Sequence, residues 1–134
     1  MGLFGSKPKK TVVVHVEDEP DIRELVQAAL TPMGIEVKSA EDGPSGLALA
    51  IKEKPDLVLL DVRMPGMDGF SVCSELRERP DFVDTPIFIV TALSQVKDVE
   101  RAVQIGATGY ILKPIDIAKL RHKVIEILGT KKPS

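Results

Sequence analysis

Two hydrophobic rhythms alternate along this chain. One is a short apolar run rich in β-branched residues. It occurs five times, at residues 12–16, 35–39, 57–60, 87–90 and 110–112. Length and composition predict a strand for each. The runs at 12–16, 57–60 and 87–90 are almost continuously apolar, as in strands covered on both faces of a parallel sheet. The other rhythm is helical. Ile22, Leu25, Val26, Ala29, Leu30 and Met33 recur at i, i+3, i+4, i+7, i+8 and i+11 and share one face of a helix. Pro20 sits in its first turn, where a missing N–H is harmless, and Asp21 and Glu24 suit its positive end. Thr31-Pro32-Met33-Gly34 ends or kinks it. Leu47, Ala50 and Ile51 mark a second helix, Phe70, Cys73 and Leu76 a third, and Val99, Ala102 and Val103 a fourth. Ile117, Leu120, Val124, Ile127 and Leu128 mark a fifth, with Gly129 as its stop.

Strand and helix therefore alternate five times. Such alternation specifies an α/β domain, a doubly wound parallel sheet with helices on both faces and right-handed crossovers. Functional side chains in such sheets gather outside the carboxyl ends of the strands. Glu17, Asp18 and Glu19 follow the first run, Asp61 the third, Thr91 the fourth and Lys113 the fifth. Taken singly, each has an ordinary reading, because acidic residues at strand–helix junctions commonly cap helices. Glu19 is expected to be such a cap, and Asp18 a ligand. Together they are harder to dismiss. Two carboxylates ~4 Å apart repel by about 4 kcal/mol at an effective dielectric of ~20, so they require a proton or a cation. Oxygen ligands without His or Cys favour Mg²⁺, or Mn²⁺, over zinc. A carboxylate beside such an ion can accept a phosphoryl group. The metal and the Lys113 ammonium would neutralise the phosphoryl oxygens. Lys113 precedes Pro114, and a cis bond there would turn it inward.

Composition narrows the alternatives. The 134 residues suit one domain, and 43% hydrophobic with 28% charged residues is ordinary for a globular chain. A net charge of -2, with no Trp, one Tyr and four Phe, gives no footprint for direct nucleic-acid binding. There is no apolar run of membrane-spanning length and no signal-peptide core, so no membrane insertion is expected. Cys73 is alone, which excludes an internal disulfide or a multi-cysteine metal site and fits a cytoplasmic location. Residues 1–10 read as a flexible leader, residues 11–129 as the domain and residues 130–134 as a flexible tail. The leader matches a loose myristoylation pattern at Met1-Gly2-Leu3-Phe4-Gly5-Ser6, for which a flexible start is the plainer reading.

Five segments in order carry a resemblance: Val16-Glu17-Asp18-Glu19-Pro20, Leu59-Leu60-Asp61, Met64-Pro65-Gly66-Met67-Asp68-Gly69, Thr91-Ala92, and the stretch from Gly106 to Pro114. Over residues 11–129 the chain resembles the receiver domain of bacterial two-component response regulators, the CheY-like family. The resemblance implies a flavodoxin-like sheet of strand order 2-1-3-4-5. It implies that Asp61 accepts a phosphoryl group from a histidine kinase or histidine phosphotransfer protein. Glu17, Asp18, Asp61 and the backbone carbonyl of Arg63 would hold Mg²⁺. Lys113 would contact the phosphoryl group, and Thr91 and Tyr110 would be the switch pair. The surface of the fourth helix, fifth strand and fifth helix would then regulate a protein partner or an output domain. The domain would assist its own phosphorylation and dephosphorylation without being an enzyme in its own right.

Some positions depart from the family pattern. Glu17 stands where Asp is usual, and its extra methylene points to a water-mediated metal contact. Thr108-Gly109 replace the two acidic residues that precede the aromatic in many transcription-factor receivers, which weakens a charged dimer surface. Arg63 and Leu93 occupy the positions that tune phosphoryl lifetime, and a bulky Leu93 favours slow self-dephosphorylation. A phosphatase would carry a second acid where Arg63 stands. A scaffold that binds partners without phosphorylation is the alternative reading, opposed by intact Asp18, Asp61, Thr91 and Lys113. His15 is expected to be packed and hydrogen-bonded within its strand, Cys73 to face the core, and His122 to be solvated.

Overall fold

The computed structural model describes residues 10–92 and 96–129. Its strands are β1 (Thr11–Val16), β2 (Ile35–Ala40), β3 (Leu57–Asp61), β4 (Ile87–Thr91) and β5 (Gly109–Leu112). Its helices are α1 (Pro20–Leu30), α2 (Gly43–Glu53), α3 (Gly69–Arg77), α4 (Val96–Gln104) and α5 (Ile117–Gly129). The strands pair in parallel in the order β2-β1-β3-β4-β5, as expected. The polar ends Asp61 and Thr91 belong to the ladder, opposite Val90 and Leu112 respectively. Residues 1–9 of the leader, the tail and Leu93 lie outside the described residues.

Side-chain alternation divides the core into two layers. Val14, Val16, Val58, Leu60, Ile87 and Ile89 point to one face, where they meet Ala50, Phe70, Val72, Cys73 and Ala102 of α2, α3 and α4. Val13, Leu57, Leu59, Phe88 and Val90 point to the other, against Val26, Ala29, Leu30, Leu120 and Val124 of α1 and α5. This is why β3 and β4 read as unbroken apolar runs: every residue in them is buried. The edge strands differ. In β2, Ile35 and Val37 are buried, while Lys38 reaches Glu36 (3.8 Å) and Glu53 (3.4 Å) on its more open face. In β5, Tyr110 and Leu112 are exposed.

Helix ends follow local chemistry. Asp42 Oδ1 accepts from Ser45 N (2.8 Å) and Asp68 Oδ1 from Ser71 N (2.9 Å), capping α2 and α3. After α1, Thr31–Met33 forms a 3-10 turn closed by Gly34, whose φ of 82° is costly for residues other than glycine. Three expectations need correction. Glu19 occupies the cap position of α1, but its side chain makes no capping bond. Instead its N–H donates to Glu17 Oε2 (3.2 Å) and its carbonyl accepts from Ile22 and Arg23. Val103 does not join the packed face of α4: Ala102 is buried there, whereas Val103 is 68% exposed. His15 is fully packed, yet neither ring nitrogen has a hydrogen-bond partner among the described residues.

Candidate functional site

The strands end side by side, so their terminal residues share one edge. β1 runs directly into Glu17, whose N–H donates to Ala40 O (2.9 Å) and thereby holds the turn against β2. β3 delivers Asp61 and β4 delivers Thr91. Lys113 N donates to Thr91 O (2.8 Å), which carries the β4–β5 ladder one residue further and brings Lys113 level with the others. The Lys113–Pro114 peptide is cis, as considered from sequence.

Lys113 Nζ donates to Asp61 Oδ1 (3.0 Å) and forms an ion pair with Glu17 Oε1 (3.1 Å). Only the Asp61 contact has directed hydrogen-bond geometry; Glu17 Oε1 is held by charge and proximity. One ammonium thus serves two carboxylates that are almost wholly buried, Glu17 at 0% and Asp61 at 3% exposure. At an effective dielectric of ~20 each contact contributes about 5 kcal/mol of Coulomb attraction. Desolvation of buried ions offsets much of this, so the cluster fixes geometry more than it adds stability. Burial pushes the Glu17 carboxyl up to about 7, and the Asp61 charge adds to this, while Lys113 and the Glu19 N–H pull the other way. Burial opposes the charge on Lys113, but bonding to Asp61 and Glu17 outweighs it and raises its pKa.

Further oxygen ligands lie beside this triad. The carboxylates of Glu17, Asp18 and Glu19 each offer an oxygen within 4.8 Å of the others. Arg63 lies two residues past Asp61 with its side chain exposed, in the loop of residues 62–68. Sequence reasoning left Glu19 out of the acidic set and missed Arg23. Arg23 Nη1 donates to Glu17 O (2.7 Å) and ties the first turn of α1 to the acidic turn. An arginine one turn into a helix that follows an acidic cluster was the available signal.

The model of the response regulator receiver domain matches residues 13–125. The chain belongs to that family. It is 37% identical over 116 residues to the DNA-binding dual master transcriptional regulator RpaA of Synechocystis, covering 87% of this chain and 48% of that protein. The chain therefore spans about half the length of this curated relative. The solved chemotaxis protein CheY4 of Vibrio cholerae superposes with a TM-score of 0.85 at 31% identity, covering 89% of this chain and 99% of that one. The receiver domain of the Pseudomonas aeruginosa sensor histidine kinase PA1611, solved with magnesium coordinated in its active-site cleft, matches with a TM-score of 0.82 at 29% identity, covering 90% and 99%.

Receiver domains are phospho-accepting signalling switches that bind Mg²⁺ in an acidic cleft. The donor set of this receiver fits such an ion. It consists of hard oxygens alone, and its innermost pair of carboxylates has a single ammonium between them. On the β4–β5 side, Thr91 is buried and Tyr110 is 43% exposed. Between them lies a cavity of about 10 Å³, lined by Phe70, Ile89, Thr91, Val99, Ala102 and Tyr110. That is room for roughly one water molecule. No described helix is long and apolar enough to cross a membrane.

Proposed function

We propose that this receiver takes a phosphoryl group on Asp61 from a histidine kinase or histidine phosphotransfer protein in the cytoplasm. The observation that carries the reading is the Lys113 ammonium shared by buried Glu17 and Asp61. An Asp61 carboxylate oxygen attacks phosphorus in line, an O–P bond forms, and the P–N bond to the donor histidine breaks. The donor imidazole leaves with the electron pair of that bond and takes up a proton. The product is an acyl phosphate. Lys113 stands 3.0 Å from the attacking carboxylate and balances the charge that the phosphoryl oxygens bring. Glu17, Asp18, Asp61 and the Arg63 carbonyl would hold Mg²⁺, with Mn²⁺ able to replace it. The ion supplies further charge neutralisation at the same oxygens.

Phosphorylation adds about -1.5 to -2 charge at this edge at pH 7. Thr91, buried at the end of β4, donates its hydroxyl to a phosphoryl oxygen. Tyr110 then turns toward the space that Thr91 leaves, and the exposed flank of α4, β5 and α5 changes shape. A shift from 1:99 to 99:1 needs about 5.5 kcal/mol of differential interaction, within reach of a group bound by Lys113, Thr91 and a cation. A protein partner or an attached output domain reads that flank.

Incubation with acetyl phosphate and Mg²⁺, followed by intact-mass measurement, tests the reading. The native chain is expected to gain one base-labile phosphoryl group, and Asp61→Asn none. Equal gain in both, or no metal-dependent gain in the native chain, overturns it.

A further inference from the structure

The loop of residues 62–68 connects Asp61 to α3 and carries the Arg63 carbonyl. Its two ends are pressed against glycines. Gly69, the first residue of α3, lies so close to the backbone of Asp61 that a Cβ there would collide with the Asp61 carbonyl carbon and oxygen. Its N–H donates to Val62 O (3.1 Å). Gly43, the first residue of α2, meets the other end. A Cβ at Gly43 would lie 2.5 Å from Met67 O and 2.7 Å from Met67 Cβ. The first obstacle is main chain, which cannot swing aside as a side chain can. Between these points Met64 is buried in the core and Gly66 takes a φ of 77°. α2 contributes no group to the acidic cluster, yet its N-terminal residue bears directly on the loop.

We propose that Gly43 is a positioning residue for the metal site. By letting α2 approach the Met67 main chain, it sets the path of the loop and with it the Arg63 carbonyl. The inference rests on the reading of the acidic edge as a divalent-cation site. Outer groups that orient a metal's ligands typically change its affinity 10–100-fold when altered. Gly43→Ala pushes the loop away from α2 while leaving the identity of every proposed ligand residue unchanged.

Mn²⁺ is the probe, titrated into the unphosphorylated chain and followed by electron paramagnetic resonance. The native chain is expected to bind, and Gly43→Ala to bind about tenfold more weakly, the low end of that range. Ala50→Gly, a buried substitution on the same helix away from the loop, is expected to lower the melting temperature with unchanged Mn²⁺ affinity. Unchanged affinity in Gly43→Ala, or an equal loss in both variants, overturns the proposal. If circular dichroism shows Gly43→Ala to be unfolded, Met67→Gly loosens the same contact from the loop side. Its affinity is expected to fall, and unchanged affinity there is equally fatal. A native chain that binds no Mn²⁺ removes the cation-site reading itself, and this inference with it. Native binding with an indifferent Gly43 removes this inference alone.

Discussion

β3 and β5 both end at the proposed phosphorylation site, yet they are built differently. All five residues of β3 are buried, with neighbours on both sides and helices on both faces. β5 is an edge strand of four residues in which Tyr110 and Leu112 face outward. The acceptor thus stands on a fully enclosed interior strand and the flank that would report on it on an open edge strand. In β3, movement would break close packing, which fixes the geometry of Asp61. In β5, outward side chains can be repositioned with little loss of buried area. The sharpest test of the contrast pairs Leu60→Ala with Leu112→Ala. Leu60 is fully buried, so its truncation is expected to cost about 3–5 kcal/mol in urea unfolding. Leu112 is 53% exposed, and its truncation is expected to cost no more than about 0.5 kcal/mol. Similar losses would mean that β5 is as fixed as β3.

A second test reads the buried end through pH. His15 lies in β1 at 0% exposure. Burial, aided by the charges of Lys113 and Arg23, lowers its pKa from 6.5 to about 4. The unfolded chain therefore binds more protons than the folded one between these values. Stability is full above about 6.5 and is lost as pH falls towards 4. Each pKa unit corresponds to 1.36 kcal/mol, so the whole effect is about 3 kcal/mol. Glu17 opposes it over part of the range, because its raised pKa makes stability fall as pH rises from 4.5 to about 7. His15→Leu is expected to remove the acid-side loss, so that its stability relative to the native chain improves steadily between pH 6.5 and 4. A constant difference across that range would show that His15 does not titrate as a buried group.

Much of this contrast was legible in the sequence. Almost unbroken apolar runs marked β1, β3 and β4 as strands covered on both faces, whereas the division of their residues between two layers came from the structure. Glu17, Asp61, Thr91 and Lys113 could be found because a parallel sheet brings the residue after each strand to one edge. Other features depend on contacts that local patterns do not encode. Val103 fits an apolar helical arc, but the sheet beneath α4 ends at β5 and leaves it uncovered. Glu19 was expected to cap α1 from its position, whereas Glu17 Oε2 takes the Glu19 N–H because β1 places it there. Gly43 and Met67 are 24 positions apart, and nothing near either one announces that their main chains meet.

The smallest effect concerns the join between the two regions. Arg101 of α4 lies over the Phe70 ring of α3, 4.5 Å from its centroid. Phe70 also lines the small cavity between Thr91 and Tyr110, so this contact holds α4 beside the space Tyr110 would enter. A cation over an aromatic face at a partly exposed site contributes about 0.5–1 kcal/mol. Arg101→Ala is expected to lose about that much stability in urea. Arg101→Lys keeps the charge without the planar guanidinium and is expected to lose less. Tyr110 is the sole tyrosine in a chain without tryptophan, so its fluorescence reports on this flank alone. With α4 released, acrylamide is expected to quench Tyr110 less, because the ring gains access to a wider cavity. A loss as large as that of Leu60→Ala would place α4 with the rigid part of the molecule. Unchanged quenching would show that Arg101 does not restrain the space behind Tyr110.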